Sequence, residues 1–528
     1  MENKKNNFLI GALIIAISHV LVKIIGAVYK IPLDRFILTT TGMGIYSSSY
    51  TIYNWLFVVS TAGLPVAISK LVSEARAVGK EGEARKIFRV SLNLLIFVGM
   101  IAFLIMFLMA VPFAKLINAE SSYLTMMVMA PSLFFVAVSS SFRGYFQGRK
   151  NMLPTALSEV IEAFCKLVFG LCFAYFAMKL TGEFYIGSAG AISGVTLGTV
   201  FSFLFLFIYY RKTQDKNEMM TTCDTSSSKE ILKKLVKLAI PVTLGVSVFT
   251  LTSLIDTAMI MNQLSGIGYG EAERLSMYGY LNRAITLFNL PPTVIASIAV
   301  SVVPSIASAI AVKDTKTAHG NVISALRITV LFAMPCAMGL SALSSPILSF
   351  VYADSNYHHL LTVMGIATLF VTIVQVSNAL LQAYNKPWIP VFNMMVGGAV
   401  KIIVNLILVS RPEINIYGAP VGTTLCYMTV VILNIIALKR VSGVKFGFSG
   451  FIVKPAIIGA VTFVSAALTY NLISSSLGET LSLCASIGVA AVLYLVSVLL
   501  IKALTKSEIL LLPKGEVILN KLERFKLI

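Results

Sequence analysis

Carboxylates are scarce in this chain. Its 528 residues hold 23 Asp and Glu against 42 Lys and Arg, and charged residues of both signs make up only 12% of it. There are four histidines, two tryptophans and six cysteines. So few ligating side chains exclude much chemistry. Cys165, Cys172, Cys336, Cys426 and Cys484 fall in apolar stretches and Cys223 in a polar one. None forms a C-x-x-C pair, so no metal site or redox dithiol is expected and each thiol reads as a small core residue. Gly79-Lys80-Glu81 lacks the upstream glycine and the Ser/Thr of a phosphate loop, so no nucleotide site is expected. No catalytic constellation is visible, and the chain does not read as an enzyme. No cofactor is expected beyond a coupling ion, Na⁺ or H⁺.

What is abundant is apolar. Hydrophobic residues make up 57% of the chain and its mean hydropathy is +0.86, so most of it must be solvated by lipid. Fourteen stretches are long enough to span a bilayer: 8–32, 43–69, 90–113, 122–142, 152–178, 185–209, 238–262, 276–311, 321–346, 359–384, 388–410, 416–438, 451–473 and 480–503. The eighth carries Pro291, Pro292 and Pro304 and should be kinked or broken. The first is too long for a signal-peptide core and has no small-residue cleavage site, so it is expected to be retained. The chain therefore reads as an all-α polytopic membrane protein.

The net charge of +19 would suggest nucleic acid in a soluble protein, but its placement points elsewhere. With the N-terminus assigned to the cytoplasm, 32 of the 42 Lys and Arg lie in cytoplasmic segments or at the span ends that meet them, six in or beside outside connections and four deep within spans. This alternation is the positive-inside rule, with both termini cytoplasmic. Nucleic acid is the weaker partner.

Two halves of the chain echo each other. Gln147 precedes Lys166 by nineteen residues, as Gln382 precedes Lys401. Gly190-Ala191-x-x-Gly194 matches Gly418-Ala419-x-x-Gly422, and Pro65 to Ser69 resembles Pro304 to Ser308. The equivalences sit 228 to 239 residues apart in one order. Six spans per repeat give both halves the same orientation, and transporters built this way bind substrate between lobes and rock them. The expected organisation is an N-lobe at 1–210, a cytoplasmic linker at 211–237 and a C-lobe at 238–440. Two further helices within 451–503 and a cytoplasmic tail at 504–528 complete it.

Ionisable side chains deep in spans are expensive, so each marks a candidate site. His19 and Lys23 share a face of span one. Glu159, Glu162 and Lys166 form a stripe on span five, and Asp256 lies deep in span seven. Arg283 lies in span eight beside Asn282, and Lys401 in span eleven is the repeat equivalent of Lys166. Glu162 and Lys166, one turn apart, can form a plain intrahelical ion pair. Lys401 can pack against carbonyls and His19 can be a hydrogen-bonded core residue. Lys23 and Arg283 have no carboxylate within a turn on their own helices, so something else must compensate them. Cations around a polar cavity suit an anionic ligand, phosphate above all.

At this point the residues carry a family likeness. The stretch from Ser18 through Lys23-Ile24-Ile25-Gly26 to Ile31-Pro32 resembles the polysaccharide-transport branch of the MOP flippases. So do Gly42-Met43-Gly44-Ile45-Tyr46, Tyr53-Asn54 and Ala62 to Lys70. The likeness is to the stage V sporulation protein B (SpoVB/YtgP) group, relatives of the MurJ lipid II flippase. It implies two six-helix lobes in a V, as in the MATE transporters, plus two helices forming a groove for a polyprenyl tail. It implies an undecaprenyl-diphosphate-linked peptidoglycan precursor moved from the inner to the outer leaflet of a bacterial cell membrane, and the carrier is expected to be a monomer. By the same resemblance Lys23, Asn54 and Arg283 stand at cavity positions, while other family arginines correspond here to Tyr29 and Thr51.

Lys23, Arg283, Lys166, Lys401, Asn54, Asn282 and His19 are thus the expected substrate contacts. Asp256, Glu159 and Glu162 are the expected ion-coupling groups, with Glu162 expected to be neutralised by Lys166. A flippase for another lipid-linked oligosaccharide, a cation-coupled multidrug exporter and a non-transporting scaffold are the alternatives. The four intramembrane cations disfavour the exporter, and the repeat with its buried charge disfavours the scaffold.

Overall fold

The computed structural model describes residues 2–213, 227–293, 314–444 and 453–503, with the isolated positions 295, 306, 309, 310 and 451. The first nine helices are α1 (Glu2–Pro32), α2 (Thr39–Thr61), α3 (Leu64–Ala77), α4 (Glu81–Leu108), α5 (Ala110–Leu116), α6 (Tyr123–Gly148), α7 (Leu153–Thr181), α8 (Phe184–Thr213) and α9 (Ser228–Gly266). They are followed by α10 (Glu271–Phe288), α11 (Thr315–Ala342), α12 (Ser344–Tyr352), α13 (His358–Ala383) and α14 (Trp388–Leu408). The last three are α15 (Gly418–Ser442), α16 (Lys454–Leu477) and α17 (Glu479–Leu500).

Among the described residues, twelve helical stretches are long and apolar enough to cross a bilayer. Lipid offers no hydrogen bonds to the backbone, so apolar segments of this length close their own bonds as helices. The expected spans 8–32 and 43–69 differ from the structure in forming one continuous stretch, which runs through Ile17–Ala77. Pro32 has no N–H to give, and after it the chain widens into a π-turn at Leu33–Leu38 before resuming as α2. The expected eighth span is described only in part. α10 stops at Phe288, Asn289 interrupts the helix, and helix resumes at Leu290 with Pro291 and Pro292 in its first turn, where their missing N–H groups cost no hydrogen bond. Pro304 and its neighbours, the linker positions 214–226 and the tail 504–528 lie outside the described residues.

By its contacts the chain divides into Met1–Gly279 and Tyr280–Ile528. The boundary therefore differs from the 211–237 linker, because α9 packs on α2, α3 and α4. Leu235 and Ala239 are buried in the core of the first unit with Leu64, Ile68, Phe88 and Phe142, and the Gly63 N–H donates to Thr243 Oγ1 at 3.1 Å. In the second unit the core lies between α11, α13 and α15, around Val322, Leu326, Val376 and Leu438. The hairpin of α16 and α17 lies on α11 and α12. Tyr494 Oη donates to the Leu331 carbonyl at 2.7 Å, and Arg327 Nη2 to that of Ala503 at 2.8 Å.

The repeat read from the sequence is a repeat of packing. In the first unit α4 packs on α6, α6 on α8 and α7 on α8; in the second α11 packs on α13, α13 on α15 and α14 on α15. The paired glycine motifs do the same work in each. A Cβ on Gly194 would overlap the Gly170 amide and lie 3.1 Å from the Lys166 carbonyl oxygen. A Cβ on Gly422 would overlap the Asn405 side chain and lie 3.4 Å from the Lys401 carbonyl oxygen. Small residues let membrane helices approach closely, and here they bring α8 and α15 onto the lysine-bearing helices.

Candidate functional site

In the first unit the ionisable residues gather around α7. Successive turns of that helix present Glu159, Glu162 and Lys166, and each meets partners on other helices. Glu159 Oε2 lies 3.2 Å from His19 Nε2 on α1. Glu162 Oε2 accepts from Arg143 Nη2 on α6 at 2.9 Å. The same guanidinium donates to Ser158 Oγ and to Ser202 Oγ on α8, both at 3.0 Å. The expected pairing of Glu162 with Lys166 is thus replaced by an interhelical one. A planar guanidinium offers several donors in a fixed fork, which a lone ammonium cannot match.

Lys166 turns the other way. Its Nζ sits 5.0 Å from the Tyr29 ring centroid and 5.2 Å from that of Tyr50, within cation–π range of both. The rings belong to a ladder at helical spacing, Tyr29–Tyr46–Tyr50–Tyr53–Phe57, with successive centroids 6.3, 6.0, 5.6 and 6.1 Å apart. Tyr29 is fully buried and its hydroxyl donates to the Ala191 carbonyl at 3.0 Å. Asn54 lies one turn beyond Tyr50 on α2, half-buried. Lys23 is exposed on α1, one turn from His19, and forms no ion pair among the described residues. Asp256 is half-buried on α9.

The second unit carries Asn282, Arg283 and Lys401. Arg283, only 5% exposed, donates from Nη1 to Asp354 Oδ2 at 2.8 Å and lies over the rings of Tyr280 and Tyr352 at 5.1 and 5.0 Å. Tyr280 Oη also donates to Asp354 Oδ2 at 2.8 Å, and the Asn356 N–H to Oδ1 at 2.9 Å. Asp354 stands in the loop between α12 and α13. Burial works to raise its carboxyl, but the hydrogen bonds from Asn356, Tyr280 and Arg283 outweigh it and hold the group below the usual carboxylate range. The compensation that Arg283 requires thus comes from another element. Asn282 is half-buried and its carbonyl accepts from Thr286 Oγ1 at 2.8 Å; Lys401 is half-buried on α14.

Two residues of this chemistry escape the sequence reading. Arg143 reads as a cytoplasmic topology charge because it lies just beyond the expected fourth span, yet α6 continues to Gly148 and keeps it inside the bundle. The serines at 139–141 before it were a signal that the helix face there is polar. Asp354 lies 71 residues from Arg283, so no local spacing could reveal it.

A family model described as polysaccharide biosynthesis protein matches residues 8–310, more than half of the chain. Stage V sporulation protein B of Bacillus subtilis (strain 168) is 25% identical, over 96% of this chain and 98% of its own. Lipid II flippase MurJ of the same organism is 25% identical over 83% of each chain. Among solved structures, lipid II flippase MurJ in an inward closed conformation matches with a TM-score of 0.70 at 16% identity, covering 92% of this chain and 98% of that one. An inward-facing multidrug resistance MATE transporter of the MOP superfamily matches with a TM-score of 0.64 at 15% identity, covering 79% of this chain and 98% of that one. A multi-pass bundle with repeat-related halves, its sequence and its fold agree: the chain belongs to the polysaccharide biosynthesis protein family, on the membrane fold shared by MurJ and the MATE transporters.

Proposed function

We propose that this protein is a flippase which moves an undecaprenyl-diphosphate-linked peptidoglycan precursor of the lipid II type from the inner to the outer leaflet of a bacterial cell membrane. Both termini lie in the cytoplasm and access alternates between the two faces. The observation that carries the reading is the extent of the match to MurJ: that fold covers 92% of the chain, against 79% for the MATE transporter. Relatedness of 25% identity over 83% of each chain to the MurJ of Bacillus subtilis supports the same choice.

The chemistry of the candidate residues in each unit agrees with an anionic lipid. Lys23 and Lys166 in the first unit, and Arg283 and Lys401 in the second, supply positive charge, which suits a diphosphate because its oxygens accept charge-assisted hydrogen bonds from ammonium and guanidinium alike. Asn54, Asn282 and His19 add further polar groups. A cationic drug would need poised carboxylates instead, and two of the three candidates are already engaged: Glu159 with His19, and Glu162 with Arg143. Any Na⁺ or H⁺ coupling runs through Glu159, Glu162 or Asp256. The hairpin of α16 and α17 supplies the furrow for the polyprenyl tail, and Leu472, Leu481, Val492 and Leu495 are exposed on it.

Expression in a strain depleted of its own lipid II flippase tests the reading. The protein should restore growth, while Arg283→Ala and Lys23→Ala should each abolish rescue at unchanged membrane levels. Absence of rescue by the parent protein would refute the substrate; full rescue by both variants would remove those cations from the mechanism.

A further inference from the structure

Lys166 and Glu162 are four residues apart on α7, the spacing at which a glutamate followed by a lysine pairs most readily on one helix. In a low-dielectric membrane interior such a pair is strong, and an ammonium so engaged is lost to any other anion. The structure shows the opposite arrangement. Glu162 points to Arg143 at 2.9 Å, and the Lys166 ammonium leans instead on the rings of Tyr29 and Tyr50. A ring face attracts a cation without supplying the counter-charge of a carboxylate.

The internal repeat supplies an independent observation. At the 235-residue offset that relates Lys166 to Lys401, Arg143 corresponds to Asn378, Ser158 to Asn393 and Glu162 to Gly397. The second unit joins the same three helices at this place with neutral groups. Asn393 Nδ2 donates to Asn434 Oδ1 at 2.8 Å, and Asn434 Nδ2 donates to Ser377 Oγ at 2.9 Å and to Asn378 Oδ1 at 2.8 Å. Amides therefore suffice to tie the three helices together. The arginine is present where a glutamate stands one turn before the lysine, and absent where that position is glycine.

We infer that Arg143 is a positioning residue: by holding Glu162 it keeps Lys166 out of an intrahelical ion pair and open to an anionic ligand. Its grip on Ser158 and Ser202 fixes the guanidinium from two further sides, so Glu162 meets a rigid partner. The consequence for the ligand rests on the reading of this protein as a flippase of a lipid diphosphate. The consequence for Lys166 does not.

The test uses full-length protein with Arg143→Gln, Glu162→Gln and the double substitution, read in two ways. The first is binding of labelled lipid II to the purified protein. Arg143→Gln should weaken it at least tenfold, because Glu162 then captures Lys166. The double variant should return to within about threefold of the parent, and Lys166→Gln placed in the double variant should remove that recovery. The second is amine acylation at Lys166 followed by mass spectrometry, which needs no substrate. It should fall in Arg143→Gln and recover in the double variant. Should Arg143→Gln fail to fold, Arg143→Lys, which keeps the charge but not the guanidinium fork, should give both readouts between those of the parent and those of Lys166→Gln, and Glu162→Gln should leave Lys166 as reactive as in the parent. A well-folded double variant as weak as Arg143→Gln, or Lys166 reactivity indifferent to Arg143, would overturn the inference. If the parent protein binds no lipid II while the acylation pattern holds, the substrate reading fails and the positioning role stands.

Discussion

Among single residues, Arg143, Lys166 and Arg283 each draw partners from other helices or loops. Arg283 is the clearest case, a nearly inaccessible guanidinium whose carboxylate comes from the α12–α13 loop. Asp354→Asn keeps the shape but leaves a buried charge without its counter-ion. A loss of about 1–3 kcal/mol follows, short of the full cost of breaking a buried pair because Asp354 itself is partly open to solvent. The pH dependence has a definite sign. The folded-state carboxyl titrates below its unfolded value, so its stabilisation is complete above about pH 4 and is lost as pH falls through the lower folded value. The apparent melting temperature of the parent protein should therefore drop more steeply on acidification below about pH 4 than that of Asp354→Asn. Equal slopes for the two would show that the pair does not contribute.

At the scale of elements, the approach of α8 to α7 depends on side chains that are not there. Gly194 lies against the Gly170 backbone, and any Cβ must push the helices apart. Gly194→Leu should cost about 2 kcal/mol or more through overpacking, seen as a lower melting temperature in detergent. Gly488→Leu on α17 serves as the control, since a Cβ there meets nothing within 4 Å. Equal melting of the two variants would argue against close packing as the reason for the glycine. The same contact recurs at Gly422 and Lys401, so the motif in the sequence was the trace of a packing requirement repeated in both units. The extent of α6 was not legible in this way. Hydropathy ends a span where charge begins, whereas the helix ends where its hydrogen bonds end, and Arg143 lies between the two.

At the scale of the whole molecule, transport of a diphosphate carries negative charge outward, and an inside-negative potential favours that movement by about 2.3 kcal/mol per charge per 100 mV. Flipping in proteoliposomes should accelerate when an inside-negative potential is imposed and slow when it is reversed. Asp256→Asn should weaken transport without abolishing it. Transport indifferent to voltage would exclude this drive.

The membrane class, the positions of most spans and the internal repeat are legible in the amino-acid order alone. Each of these is written in local quantities: apolar length, the alternation of basic loops, and glycines at fixed offsets. The same order marked α7 as the helix rich in ionisable groups. The partners emerge from helix packing: Glu162 with Arg143, Glu159 with His19, Lys166 with two tyrosines, and Arg283 with Asp354. Packing likewise placed α9 with the first unit. The reason is physical. Helix spacing fixes which side chains share a face, but the strength of a buried charge pair depends on which other helix that face meets, and contacts between residues 19 and 140 positions apart leave no mark in local spacing.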